Sequence, residues 1–382
     1  MNEPSKKDQL YELIRANPFI SQQDLAVALR LSRSAVAGHV ASLIRERRLL
    51  GRAYVLPDSR PVVCLGAANV DRKLRSLAAL QMGTSNPASA EQVYGGVARN
   101  IAENLARLNT PVALLTALGD DSAGQALREH ASQAGIDMRG SLRAGARPTG
   151  TYTAVLDDKG ELIVALADMA LYDTLTPAFL ASCQPQRAAA ALTVADLNLG
   201  PDTIALLLED ARRDCVALVL VAVSQPKMAN LPAALHGLHL LILNRAELET
   251  RAGRPLPVEA DLADACRALR RQGALNVVVT CGASGVYYST PDGLAHLPAP
   301  VVDTVDVTGA GDAFAAAVCW SLYQGSDDLK LACRRGLKLA AITLESDCTV
   351  APHLSPDLLD EIHGFDPATL PPPLQPTLFE QD

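Results

Sequence analysis

Residues 306–314 read Asp306-Val307-Thr308-Gly309-Ala310-Gly311-Asp312-Ala313-Phe314, and the chain continues as Ala315-Ala316-Ala317-Val318-Cys319-Trp320-Ser321-Leu322. The run Val301–Val305 ahead of them predicts a strand. The paired glycines predict a tight turn, and the nearly all-apolar stretch that follows predicts a buried helix. The amino end of a helix presents free N–H groups and the positive end of its dipole, which suits an anion. Glycines at 309 and 311 let the backbone approach that anion closely. Asp312 is out of place there unless it has a task. A carboxylate at this position can accept the proton of an attacking hydroxyl while the amides of Gly309, Ala310 and Gly311 hold a transferring phosphoryl group. A plain helix cap explains the aspartate but not both glycines.

The sequence around this stretch sets the fold class. Val62–Leu65 reads as a buried strand ending at Gly66, and Val112–Thr116, Ala190–Val194, Leu218–Val223, Leu240–Leu243 and Val277–Thr280 are further short apolar runs. Helical patterns at 98–108, 122–134, 202–213 and 259–272 fall between them. Alternation of this kind predicts an α/β fold, a doubly wound three-layer αβα domain over residues 62–366 with a parallel sheet covered on both faces. Ligands bind such folds at the carboxyl ends of the strands. Residues 72–94 and 148–168 do not fit the wound sheet. They read as extended, the second as a hairpin turning at Asp158-Lys159-Gly160, and together they predict a small β lid.

Other pieces of candidate chemistry lie along this body. No G-x-x-x-x-G-K-[ST] loop occurs, and no G-x-G-x-x-G follows a strand, which disfavours a P-loop nucleotidase and a dinucleotide oxidoreductase. Gly95-Gly96-Val97-Ala98-Arg99-Asn100 opens a helical pattern, and Asn100 offers both a donor and an acceptor to hydroxyl groups. Asp71 follows the first strand in Gly66-Ala67-Ala68-Asn69-Val70-Asp71, Asn244-Arg245-Ala246-Glu247 follows another, and Thr280-Cys281-Gly282-Ala283-Ser284-Gly285 follows a third.

In this order these segments resemble the signatures of the ribokinase-like (PfkB) sugar kinases. The resemblance covers about residues 62–363 and implies the ribokinase-like version of the αβα fold. By it, Asp312 is the catalytic base and Gly309–Gly311 form the anion hole. Asp71, Gly95, Gly96 and Asn100 bind the sugar. Asn244, Glu247, Thr280, Gly282, Gly285 and Thr308 serve ATP, with Glu247 holding magnesium through water and Asp306 holding potassium. The segment 345–353 lies where the family closes the adenine and cation sites, and Cys348 replaces a residue that is small in the family, often glycine. More narrowly, GGVARNIAENLARL, Thr84–Pro87, TYTAVLDDKGEL with Asp168-Met169, and DVTGAGDAF resemble bacterial pseudouridine kinases. This implies ATP-dependent phosphorylation of the 5′-hydroxyl of a ribosyl substrate, pseudouridine first, with Ser85 and Asn86 within reach of its base or sugar edge. Another nucleoside or a plain sugar is the alternative substrate. Pairing through the lid into a homodimer is the expected assembly.

The amino-terminal part reads differently. Residues 1–60 hold ten Lys/Arg and six Asp/Glu, whereas the chain of 382 residues carries a net charge of −8. A basic head on an acidic body suggests two jobs. Helical patterns cover 6–16, Gln22–Arg30 and a third stretch from Ser32 or Ser34 to about Arg47, and Leu49–Leu56 looks like a short hairpin. Three helices and a ribbon resemble a winged helix-turn-helix over residues 1–57, joined to the body by a linker at 58–61. That resemblance implies DNA as a partner, with Arg33, Ser34, His39 and Arg52 facing it. A transcription regulator whose body only senses a sugar is the second reading. The eight scattered cysteines, without a C-x-x-C pair, read as reduced core thiols. The apolar runs are too short to span a bilayer, the polar first residues do not resemble a signal peptide, and a cytoplasmic location is expected. The Pro-rich tail 367–382 is expected to be irregular.

Overall fold

A computed structural model of the chain describes residues 5–17, 20–46, 48–49 and 60–360. The expected ribbon beyond Leu49, residues 58–59 of the linker, the tail at 367–382 and Arg52 lie outside the described residues. The head contains α1 (Lys6–Ala16), α2 (Gln22–Leu29) and α3 (Arg33–Arg45), started by the side chains of Ser5, Ser21 and Ser32 as N-caps. Leu10, Leu25, Leu29, Val36, Val40 and Leu43 close over one another as a separate small core.

In the body, the strands of the main sheet are β1 (Val62–Leu65), β4 (Val112–Leu115), β9 (Leu192–Asp196), β10 (Ala217–Val221), β11 (Leu240–Asn244), β12 (Asn276–Thr280), β13 (Val286–Thr290) and β14 (Gly293–Leu297). Their order across the sheet is β14-β13-β12-β11-β10-β9-β1-β4. The six strands from β12 to β4 are parallel, as expected for alternating strands and helices. The β13–β14 hairpin is antiparallel, a departure from the all-parallel expectation at one edge.

Side chains alternate through the sheet. Val62 and Cys64 face a core shared with α4 (Val97–Arg107), α5 (Ser122–Gln133), α11 (Ala310–Tyr323), α12 (Leu329–Leu344) and the short α13 (Asp357–Asp360). Val63 and Leu65 face a second core with α6 (Pro177–Ser182), α8 (Pro201–Asp214), α9 (Arg245–Ala252) and α10 (Glu259–Arg271); α7 (Gln184–Ala188) follows α6. The result is the expected three-layer arrangement. Helix α11 is apolar all round and buried from Ala313 to Ser321, between α4 and α12.

The lid is a four-stranded sheet, β3-β2-β7-β8, built from β2 (Asn69–Ser76), β3 (Ala88–Gly95), β7 (Thr151–Leu156) and β8 (Leu162–Asp168). Strands β5 (Ala117–Gly119) and β6 (Leu142–Ala144) form a small parallel pair beside it in the chain. The turn between β7 and β8 is where it was expected, closed by the Asp157 carboxylate, which accepts from the backbone N–H groups of Lys159 and Glu161.

One expected element is absent. Val301–Val305 forms no strand. The sheet ends at β14, and this segment crosses from it to α11 without a ladder partner. Val301, Val305 and Val307 are 90%, 64% and 72% exposed. Its β-branched residues mimic a strand in the sequence but serve as the wall of a cavity. All eight cysteines are free, five of them buried. Among the described residues no helix is long and apolar enough to cross a membrane.

Candidate active site

Strands β1 and β4 wind one way and β9 returns to the other side of β1, so the winding reverses between β1 and β9. Crevices in open α/β sheets form at such reversals. Asp196, the last residue of β9, lies there fully buried. Its Oδ2 accepts from the backbone N–H groups of Ala67 (2.9 Å) and Ala98 (3.0 Å), and its Oδ1 from that of Asn198 (2.9 Å). One carboxylate thus fixes the loop after β1 and the start of α4. Burial pushes its acid up, opposed by these donors.

Asp71 and Asp312 come together above this point. Asp71 lies on lid strand β2, and its Oδ1 accepts from the Asn69 amide. Burial pushes its carboxyl up to about 6, against the pull of Asn69, Arg99 and Lys73. Gly95 is needed beside it, because a Cβ there would overlap the Asp71 carboxylate. Asp312 stands in the first turn of α11, and its Oδ2 accepts from Asn100 Nδ2 at 2.7 Å. Burial pushes its carboxyl up to about 7; Asn100 and Arg99 oppose this, while Asp196 and Asp71 add to it. A carboxyl whose acid lies near neutral pH would suit proton transfer.

Arg99, which the sequence reading passed over, sets the orientation of Asn100. Its guanidinium donates to Asn100 Oδ1 (2.7 Å) and to the Tyr94 carbonyl (2.8 Å), so the amide NH2 of Asn100 is left for Asp312. Arg99 is also paired with buried Glu103, which Arg107 and His130 share. The Arg99-x3-Glu103-x3-Arg107 spacing is visible in the sequence, but i, i+4 charges ordinarily mark a solvated face. Because Asn100 donates to the ionised carboxylate, Asn100→Ala is expected to move the acid limb of kcat/KM upward by about one pH unit. A pH–rate profile measures it; an unmoved limb would disconnect Asn100 from the base.

On the other side of the α11 start lies a cavity of about 550 Å³. Thr280, Gly282, Gly285, Val302, Ala310 and Gly311 are among its walls, so the structure brings three expected ATP residues to the expected anion hole. Gly309 holds φ +85, and a Cβ on it would run into the Thr349 carbonyl, so the segment 345–353 does close on this turn. Cys348 itself is exposed.

Several expected residues have other surroundings. Thr308 does not line the cavity: its N–H and hydroxyl both donate to Asp306 Oδ1, at 2.8 and 2.7 Å. Asn244 and Glu247 form a capping box at the start of α9, outside the cavity wall. One Glu247 oxygen accepts from the Asn244 N–H, and the side chain is buried; a carboxylate is a hard ligand of the kind that holds magnesium through water. Asn86 closes its own loop, bonding Gln81 N–H, Gln81 O and Thr84 O, and Ser85 is exposed at the lid tip. Asp306 does not fit the potassium role. Its Oδ2 is paired with the Lys73 ammonium and its Oδ1 with Thr308. In the head, Arg33 and Ser34 are exposed on α3 and His39 is half-buried, while Arg48 pairs with Asp8 at 2.8 Å.

A winding reversal, a lid, a glycine-bounded helix start beside a cavity and a buried carboxylate are the features of a phosphotransferase of the sugar-kinase class, and residues 59–355 match the pfkB family carbohydrate kinases. The chain belongs to that family, and its fold is ribokinase-like. Residues 8–47 match a winged helix-turn-helix DNA-binding domain. The chain is 32% identical over 356 residues to the uncharacterized sugar kinase YeiI of Escherichia coli, covering 92% of this chain and 97% of that protein. It is 35% identical over 262 residues to the pseudouridine kinase of the same organism, covering 68% of this chain and 83% of that one. A carbohydrate kinase from Agrobacterium tumefaciens superposes with a TM-score of 0.69 at 34% identity, over 79% of this chain and 96% of that chain.

Proposed function

We propose that this sugar kinase transfers the γ-phosphoryl group of ATP to the 5′-hydroxyl of a ribosyl compound, with pseudouridine as the first candidate. The observation that carries the reading is the Asp312 carboxylate, raised to about 7 at the glycine-bounded start of α11 and held by Asn100. Asp71, Gly95, Gly96 and Asn100 would seat the sugar so that its hydroxyl meets Asp312. The hydroxyl proton goes to an Asp312 oxygen as the new bond to the γ-phosphorus forms. The bond from that phosphorus to the β–γ bridging oxygen breaks, and ADP leaves with its electron pair. Free N–H groups at the start of α11 take up charge on the transferred group, and orientation supplies much of the gain. Glu247 would hold magnesium through water, and the ion would neutralise phosphate charge.

The pseudouridine assignment leans on the relative of that name and on the TSNP and TYTAVLDDKGEL segments. A panel of nucleosides and sugars with ATP and magnesium tests it: pseudouridine should give the highest kcat/KM. Uridine or ribose in first place would move the assignment to the alternative substrates, and no product from any acceptor would favour the sugar-sensing regulator.

Two partners complete the proposal. Arg33 and Ser34 lie exposed at the start of α3, where a helix-turn-helix offers side chains to a DNA groove. Capture of genomic DNA that survives deletion of residues 1–60 would remove that role. Outer lid strand β8 exposes Leu162, Ile163, Val164 and Leu166 at 43–64% along an open sheet edge, a surface suited to pairing with a second lid. A monomer in sedimentation equilibrium would exclude it.

A further inference from the structure

We propose that the Lys73 ammonium is the built-in monovalent cation of this kinase, neutralising Asp306 where a bound alkali ion would otherwise be required and tying the lid to the phosphate-binding turn. The inference rests on the kinase reading. Asp306 stands three residues before Gly309, so a bare carboxylate there would repel an incoming phosphate. Its two oxygens are already engaged: Oδ1 accepts from the Thr308 N–H and hydroxyl, and Oδ2 from Lys73. An alkali ion needs several oxygen ligands at once, whereas an ammonium brings the same charge with three donors and no demand for further oxygens.

The position of Lys73 suits the task. It lies two residues beyond Asp71 on β2, so both side chains leave the same face of the lid. Strand β2 is interior to its sheet, with Lys73 opposite Glu91 of β3 and Ala154 of β7. The ammonium is therefore presented from a strand paired on both sides. The two charged side chains are only 31% and 25% exposed, so water screens the pair less than it would a surface pair. Lys73 is a positioning residue in this picture: it acts on the phosphate through Asp306 and the turn.

The test compares wild type, Lys73→Met and Lys73→Arg in potassium chloride and in choline chloride at matched ionic strength. Both the ATP KM and the thermal unfolding midpoint are read in each salt. Wild type and Lys73→Arg should give the same values in both salts. Lys73→Met should show an ATP KM raised about tenfold in choline, largely restored by potassium, and a midpoint that potassium alone raises. Wild-type activity that depends on potassium would overturn the proposal. So would a Lys73→Met enzyme that matches wild type in choline, or one that potassium does not help. If no acceptor is phosphorylated in any salt, the kinase reading fails instead, and the midpoints still decide whether Lys73 stands in for the ion.

Discussion

Asp312→Asn is expected to lower kcat by about a thousandfold, the range removed with a general base, while binding of the ribosyl acceptor changes little. The amide fills the same space beside Asn100 but cannot accept the hydroxyl proton. The same variant carries a second signature. In the folded chain burial lifts the Asp312 acid to about 7 from an ordinary value of 3.8. A group whose folded value is raised contributes stability at acid pH and loses it as pH rises through the folded value. Asp312→Asn, which cannot ionise, should therefore melt above wild type at pH 8 and level with it at pH 4. Turnover near wild type would remove Asp312 as base. An unchanged difference in melting between the two pH values would show that the carboxyl is not held in the environment described. Wild-type kcat/KM should rise with pH through about 7 for the same reason, since only the ionised form accepts a proton.

The second large effect is expected at Gly309. An alanine there must hold φ +85 and place its Cβ against the Thr349 carbonyl. Left-handed backbone alone costs a non-glycine residue about 1 kcal/mol or more, and the collision must be relieved by moving the turn. Moving the turn carries the N–H groups of the helix start away from the phosphate. Gly309→Ala should lose about a hundredfold in kcat, as when an oxyanion donor is displaced, with a raised ATP KM. Because the change is local, the ribosyl acceptor should still bind, which calorimetry without nucleotide can check. Equal loss of acceptor affinity would point to general misfolding.

The sequence disclosed much of this, for identifiable reasons. Buried parallel strands are continuous apolar runs, so Val62–Leu65 and Val277–Thr280 stand out, and α11 is legible because no polar residue interrupts it from Ala313 to Trp320. The lid segments read as extended and break at Asp158-Lys159-Gly160, which made them visible. What was not legible depends on residues that meet only in space. Val301–Val305 has the composition of a strand, and nothing local says that the sheet has already ended at β14. Asp196 is one carboxylate at a strand end, and only the fold brings three backbone donors to it. Asn86 looks able to face a ligand, yet its amide is used by residues 81 and 84. The engagement of Asp306 by a lysine 233 residues away in the chain cannot be read from either segment.

Only Gly66, Ala67 and Ala68 separate central strand β1 from lid strand β2. Asp196 grips the Ala67 amide, and the Tyr172 hydroxyl donates to the Ala68 carbonyl at 2.6 Å. These two bonds oppose a pivot at that junction. If the outer lid swings away to admit substrate, the bend must fall farther along β2, past Asp71. Asp71 then stays behind with the sheet, and the part that travels is the one carrying Lys73.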